Sequence, residues 1–334
     1  YFNQYEPEIN IVKNNIVFFD NKGSILKFNN DSKLIWKKNY YSKNEKKNNP
    51  FLFFGSNANL LIIADNLAKY YAINIDDGSL IWTKNNSSPF NSQIKILNDK
   101  FYVIDDSNTL NCYSIKDGSL IWNYKTEKTL IKSQKKLSMV VSENKIIFVN
   151  NLGDITAIDS NTGTLIWQTP TQKITIYEDA MFLKTSDLVL AKNSVLLSNN
   201  SNEFFSINLK TGLLNWKQNI NSSLRPTYIE DYILTISDEG YFIVLDFKTG
   251  KIIRSTDLFK NFKKKKREKI KPVGFIVGSE NIYLTTSVGR LIIANIETGN
   301  PEAVIKIDNK KISRPITIKQ NMFIIKENSI VKLN

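Results

Sequence analysis

The residue types that most often carry chemistry are scarce in this chain. Among its 334 residues there is no histidine and a single cysteine, Cys112. Without imidazole, Ser-His-Asp and Cys-His catalysis and histidine-based metal sites are excluded. A lone cysteine forms no intramolecular disulfide, but a large β domain needs none, so the compartment stays open. No residue is assigned to catalysis, to a cofactor or to a metal. Cations are plentiful: 45 Lys and Arg face 32 Asp and Glu, for a net charge of +13. Clustered cations neutralise phosphates, which raises the question of nucleic acid. Only five are arginine (Arg225, Arg254, Arg267, Arg290, Arg314), so the planar fork suited to phosphate and base recognition is nearly missing. The joint abundance of Lys, Asn and Ile also fits an AT-rich coding bias, which adds charge without selecting a partner. Nucleic acid is not expected as a partner, while an anionic membrane surface or an acidic protein stays open. The densest run is Lys263, Lys264, Lys265, Lys266 and Arg267. It is expected to be a solvated loop; its functional alternative is contact with an anionic surface, at roughly 1 kcal/mol per Lys.

The elements that must position such residues are announced by the tryptophans. Trp36, Trp82, Trp122, Trp167 and Trp216 are all the tryptophans of the chain, and each ends a copy of one phrase, written "DGSLIW" in two of them. Two degenerate copies end at Arg254 and Ala303, and successive anchors lie 38 to 49 residues apart. A period of this size signals a solenoid or a propeller. The chain is 42% hydrophobic, rich in Ile, Leu, Val, Phe and Tyr, with no long stretch of helical period. Each repeat parses into four strands, the second a nearly continuous apolar run of the kind buried on both faces. The expected fold is an all-β, eight-bladed β-propeller of four-stranded antiparallel blades, forming a single domain over 1–334. In the phrase, Gly supplies a tight turn before the outermost strand. The Trp four residues later seals one blade against the next. The last segment, 312–334, holds three strands, and its fourth is expected from residues 1–7, closing the ring and removing open edges. Three connections exceed tight turns: 124–136, 169–187 and 257–272. No segment approaches the roughly 18–20 apolar residues of a membrane span. The first residue is Tyr, which fits a leader already removed from an exported protein.

The stretch "AIDSNTGTLIW" (Ala157–Trp167) resembles the tryptophan-docking motif of pyrroloquinoline-quinone propellers. Quinoprotein dehydrogenases and the BamB lipoproteins of the outer-membrane assembly machinery share that motif. The dehydrogenase resemblance implies a catalytic Asp, a calcium held by Glu and Asn and, in alcohol-oxidising members, an adjacent pair of cysteines. With one Cys that pair cannot form, and no insertion is seen that would build a cofactor pocket. Asp65, Asp105, Asp106 and Asp238 read instead as residues that close strand turns. Resemblance to the BamB family extends over nearly the whole chain, including an irregular connection after the fourth tryptophan and a last blade short of one strand. "STDLFKNF" after blade six resembles a short helical turn found there in the family.

That resemblance implies a non-enzymatic scaffold without cofactor, lipid-anchored ahead of Tyr1 to the periplasmic side of the outer membrane of a Gram-negative cell. The implied partners are the POTRA domains of the BamA-type barrel-inserting subunit and unfolded outer-membrane protein precursors. The implied contacts fall on the connections after blades three and four. They map to Thr129, Leu130, Ile131 and Lys132 in the first, where Lys replaces the family's Arg, and to Glu178 and Asp179 in the second. A quinone-dependent dehydrogenase and an extracytoplasmic sensor or adhesion propeller are the alternative readings.

Overall fold

The computed structural model describes residues 9–127, 133, 135–171, 183–318, 320–327 and 329–333. The fold is an all-β, eight-bladed β-propeller of antiparallel sheets, as the repeat predicts. The chain divides into two compact units, residues 1–182 and 183–334. Unit one carries four-stranded blades over 10–38, 52–85, 95–125 and 139–169. Unit two carries four-stranded blades over 189–218, 227–257 and 272–306. Its last blade, 316–333, shows three strands among the described residues. The strand expected from residues 1–7 lies outside them.

Blade three shows why the sequence folds this way. Its second strand, Lys100–Ile104, pairs with Thr109–Ser114 in a ladder from Lys100↔Ser114 to Ile104↔Leu110. Phe101–Ile104 and 110–113 are all buried, because each face of a blade packs on a neighbouring blade. The core is accordingly a series of layers. In unit one, Tyr70, Ala72, Phe101 and Tyr113 pack together between blades two and three, and Tyr102, Leu110, Met139 and Phe148 between three and four. In unit two, Leu196, Phe204, Ile233 and Leu245 fill one layer, and Phe242, Leu284 and Ile292 another. Cys112 is sealed inside the layer between blades three and four, where burial pushes its thiol up to about 11. It is an inert packing residue.

The outermost strands carry a device the sequence reading did not foresee. In blade three Cys112 faces Trp122 and Tyr113 faces Leu120, so Ile121 is an extra, bulged residue. The same bulge falls on Ile35, Ile81 and Ile166 in unit one. In unit two it falls on Asn215, Ile253 and Glu302. Leu120 and Ile121 are 51% and 44% exposed, so this edge is apolar as well as open. A bulge bends and twists such an edge away from flat pairing with another chain.

Among the described residues two short helices interrupt the sheets. α1 (Lys43–Lys47) starts with a capping box: Glu45 N donates to Ser42 Oγ at 3.3 Å and Ser42 N donates to Glu45 Oε2 at 2.7 Å. The Ser-x-x-Glu spacing was a readable signal for it. α2 (Lys264–Arg267) lies in the Lys run: the lysines are solvent-exposed as expected, but the backbone makes one turn of helix where a loop was expected. The helical turn expected in "STDLFKNF" is also displaced. Phe262 N donates to Phe259 O at 2.9 Å in a simple turn, and the helix begins after it.

Candidate functional site

The repeated phrase builds a docking joint between blades. Trp82 donates its indole N–H to Ile115 O of the next blade at 2.8 Å, and Trp36 and Trp216 do the same to Ile75 O and Phe247 O at 3.1 and 2.9 Å. Gly118 has a φ of +69°, as its turn requires. It has a second duty. A Cβ on Gly118 would lie 2.7 Å from the Trp82 ring, and one on Gly163 would lie 2.7 Å from the Trp122 ring. Gly78 and Gly250 meet the rings of Trp36 and Trp216 in the same way, so in these four phrases the glycine is the seat for the tryptophan of the phrase before it. Trp167 is buried as well. At the first degenerate copy the joint survives in altered form: Arg254 Nη2 donates to Ile296 O at 2.7 Å, and its guanidinium lies 5.5 Å from the Phe242 ring centre. Arginine thus replaces both the indole donor and part of its packing.

The carboxylates are consumed by turns. Asp65 Oδ1 accepts from Leu67 N and Lys69 N, each at 2.8 Å, while Oδ2 accepts from the Tyr41 hydroxyl. Asp105 Oδ1 accepts from Ser107 N and Thr109 N at 2.9 and 3.1 Å. Asp20, Asn150 and Asn199 close the equivalent hairpins in the same pattern. Asp238 departs from expectation. Its Oδ1 accepts from Ser223 N at 3.2 Å, tying the hairpin to the preceding connection, and Ser237 Oγ takes the closing bond from Tyr241 N at 3.3 Å. Of Asp106, its amide donates to Pro89 O at 2.7 Å, again reaching the preceding connection. A cleft of about 180 Å³ in unit one, lined by Asn10, Phe53, Gln93 and Lys136 among others, is small against the roughly 300–1,000 Å³ typical of ligand pockets.

The long connections leave from pinned points. Thr129, Leu130, Ile131 and Lys132, and likewise Glu178 and Asp179, lie outside the described residues, but the flanks of their segments are defined. Asn108 Nδ2 donates to Glu127 O at 3.1 Å, and Asn108 O accepts from Thr126 N at 3.1 Å. Asn151 N donates to Asn108 Oδ1 at 3.1 Å, and Asn151 Oδ1 accepts from Ser133 N at 2.9 Å. Two buried asparagines therefore hold both feet of segment 128–132. Thr171, just before segment 172–182, donates from N to Asp154 Oδ1 at 3.1 Å and from Oγ1 to Gly153 O at 2.9 Å. Burial holds the Asp154 carboxyl above its ordinary range. On the far side, Lys184 N donates to Asn200 Oδ1 at 2.7 Å.

The connection after blade six is described throughout. Leu258, Phe259 and Ile270 are buried at its two ends. A Cβ on Gly240 would lie 2.3 Å from the Phe259 ring, so that hairpin also yields its space to an anchor. Arg267 pairs with Asp257 across the base of the loop. Lys263, Lys264, Lys265 and Lys266 point to solvent.

With repeat, joint and connections in place, comparison becomes informative. The sequence model of the family described as outer membrane protein assembly factor BamB matches residues 21–256. The chain belongs to the BamB family. The crystal structure of BamB from Moraxella catarrhalis superposes with a TM-score of 0.80 at 14% identity, covering 98% of this chain and 95% of that one. The computationally designed Ika8 protein superposes with a TM-score of 0.75 at 11% identity, covering 97% and 94%. At these identities the two structures share the fold with this chain. No curated protein sequence matches it. The BamB sequence match ends at 256, after Arg254 has taken the place of the anchor Trp. Beyond it the blades are legible in backbone pairing more than in residue identity.

Sequence reasoning read Asp65 and Asp105 as turn-closing residues, but missed that Asn150 and Asn199 continue the series, and it missed the two asparagine stakes. A signal existed. Asp65, Asp105, Asn150 and Asn199 each stand seventeen residues before a tryptophan anchor.

Proposed function

We propose that this chain is a non-enzymatic scaffold subunit of the outer-membrane β-barrel assembly machinery. It sits on the periplasmic side of the outer membrane, held by a lipid anchor ahead of Tyr1, as one eight-bladed ring. It binds the POTRA domains of the BamA-type barrel-inserting subunit and guides unfolded barrel precursors. The observation that carries this reading is the BamB family match over residues 21–256. The carboxylates support it in a second way. Asp65 and Asp105, which an active site would need free, are engaged with backbone amides of their own hairpins.

The docking surface of this scaffold is the pair of unrepeated connections. Leu130 and Ile131 supply apolar contact, Thr129 and Lys132 flank them, and Glu178 and Asp179 supply charge of opposite sign. Asn108 and Asn151 would lower the ordering cost of docking by fixing both feet of the first segment. The test is pull-down and calorimetry with the soluble POTRA segment of the barrel-inserting subunit. Wild type should bind, and the double variant Leu130→Asp, Ile131→Asp should lose at least about tenfold in affinity with an unchanged melting temperature. Intact binding by the double variant would remove the site; no binding by wild type would remove the function.

A further inference from the structure

We infer that the connection between blades six and seven is a docking platform for an anionic lipid bilayer. Residues 260–271 hold eight cations (Lys260, Lys263–Lys266, Arg267, Lys269 and Lys271) against one acid, Glu268. Arg267 is spent on Asp257 at the base of the loop. Lys263–Lys266 are exposed, and no ion pair to them is seen among the described residues. Four ammonium groups on one helical turn repel one another, and a partner of opposite charge relieves that repulsion.

The run is held, not dangling. Leu258 and Phe259 enter the core of blades six and seven, and Ile270 enters it again at the far end. Leu258 N donates to Gly240 O at 3.0 Å, and Lys271 N donates to Ser287 Oγ at 2.9 Å while its carbonyl accepts from Ser287 N at 2.8 Å. Both ends are therefore fixed to strands, and α2 between them presents its lysines from an already ordered backbone, which lowers the ordering cost at the moment of contact.

The chemistry of the run selects the occupant. Lysine is a compact, strongly hydrated point charge, suited to a diffuse field of charge, whereas directed phosphate or base recognition favours the arginine fork. Single-stranded nucleic acid would also need exposed aromatic rings on which bases stack. Here Phe259 is buried and Phe262 packs against the same core, so both rings of the platform face inward. A basic cluster on a short helix with inward aromatics matches a surface of anionic headgroups.

The experiment uses the protein alone, without any assembly partner, so its outcome is separate from that of the proposed scaffold role. Vesicles of phosphatidylcholine with and without phosphatidylglycerol are sedimented with three proteins. These are wild type, the variant Lys263→Gln, Lys264→Gln, Lys265→Gln, Lys266→Gln, and a control of equal charge change in the same unit, Lys192→Gln, Lys210→Gln, Lys248→Gln, Lys251→Gln. Wild type should partition onto phosphatidylglycerol vesicles and not onto neutral ones, and added salt should release it. The platform variant should lose at least about tenfold in partition constant, each Lys near such a surface being worth roughly fivefold. The control should lose under about threefold, since its lysines sit in the same unit at the hairpins between first and second or third and fourth strands, at the strand ends opposite the connection. Equal binding to neutral vesicles, or an equal loss in the control, overturns the inference. So does capture by polyglutamate or transfer RNA without capture by anionic vesicles.

Discussion

At the scale of single residues, the tryptophan joint is the feature whose energetics can be separated. Trp82 offers both a ring and a hydrogen bond, through Nε1 to Ile115 O at 2.8 Å. Trp122 offers the ring, packed on Tyr102, while its Nε1 is buried with no hydrogen-bond partner among the described residues. Replacing Trp82 by Phe removes the bond and strands a buried carbonyl, at about 1–3 kcal/mol beyond the lost ring area. Replacing Trp122 by Phe removes a donor that was already unsatisfied, so only the area is lost. Thermal and urea unfolding of the two variants should therefore rank Trp82→Phe below Trp122→Phe by at least about 1 kcal/mol. The reverse ranking would sink the hydrogen-bond account of the joint. Arg254 belongs to the same logic, since it keeps the donor to Ile296 O after the indole has gone.

At the scale of the element, the hairpin between the second and third strands depends on one buried side chain. Asp65 is fully buried, and burial holds its carboxyl above the ordinary 3.8 in spite of the donors that favour the charged form. The folded protein therefore holds that proton more tightly than the unfolded chain. The stability this brings is complete below about pH 3.8 and is lost as pH rises through the elevated folded value. Asp65→Asn carries no such proton. The stability of wild type relative to Asp65→Asn should fall as pH is raised from about 4 toward neutral, and then level off. Urea midpoints of both proteins across that range test it, and a difference that grows with pH would contradict the assignment. Asp65 was legible in the sequence as a turn-closing residue. Its burial was not, because burial comes from Tyr41, on the connection from blade one, and Tyr71, which the same layer brings over it.

At the scale of the whole molecule, the charge is the property that no single contact explains. A net charge of +13 spread over 334 residues sets up self-repulsion that compaction makes worse. The surface ion pairs offset little of it, since exposed pairs such as Lys192–Asp231 and Lys310–Glu327 are screened by water and by salt. Raising ionic strength from about 10 mM to about 200 mM shrinks the screening length severalfold, so the melting temperature should rise by a few degrees. A melting temperature that falls with salt would mean that favourable pairs outweigh the repulsion.

Local patterning along the chain was enough to specify the repeat, its period, the four strands of each blade and hence the propeller. These follow from local periodicity and turn chemistry, which repeat because each blade solves the same packing problem. It also marked Trp36, Trp82, Trp122 and Trp216 as joints between blades. Only the tertiary structure decided what those joints touch, for Gly118 shows its second duty once the ring of Trp82 is laid on it. Tertiary structure alone likewise showed that Arg254 stands in for a tryptophan, that Ile121 and its counterparts are bulged, and that Asn108 and Asn151 meet across blades. The Lys run looked like loop by composition and became α2 because Leu258, Phe259 and Ile270 fix both its ends. Apart from the bulge, which lies between two strands of one blade, the partner in each case is a residue from another repeat or from the far end of a connection. A pattern read along the chain carries no record of which distant group will fill the space beside it.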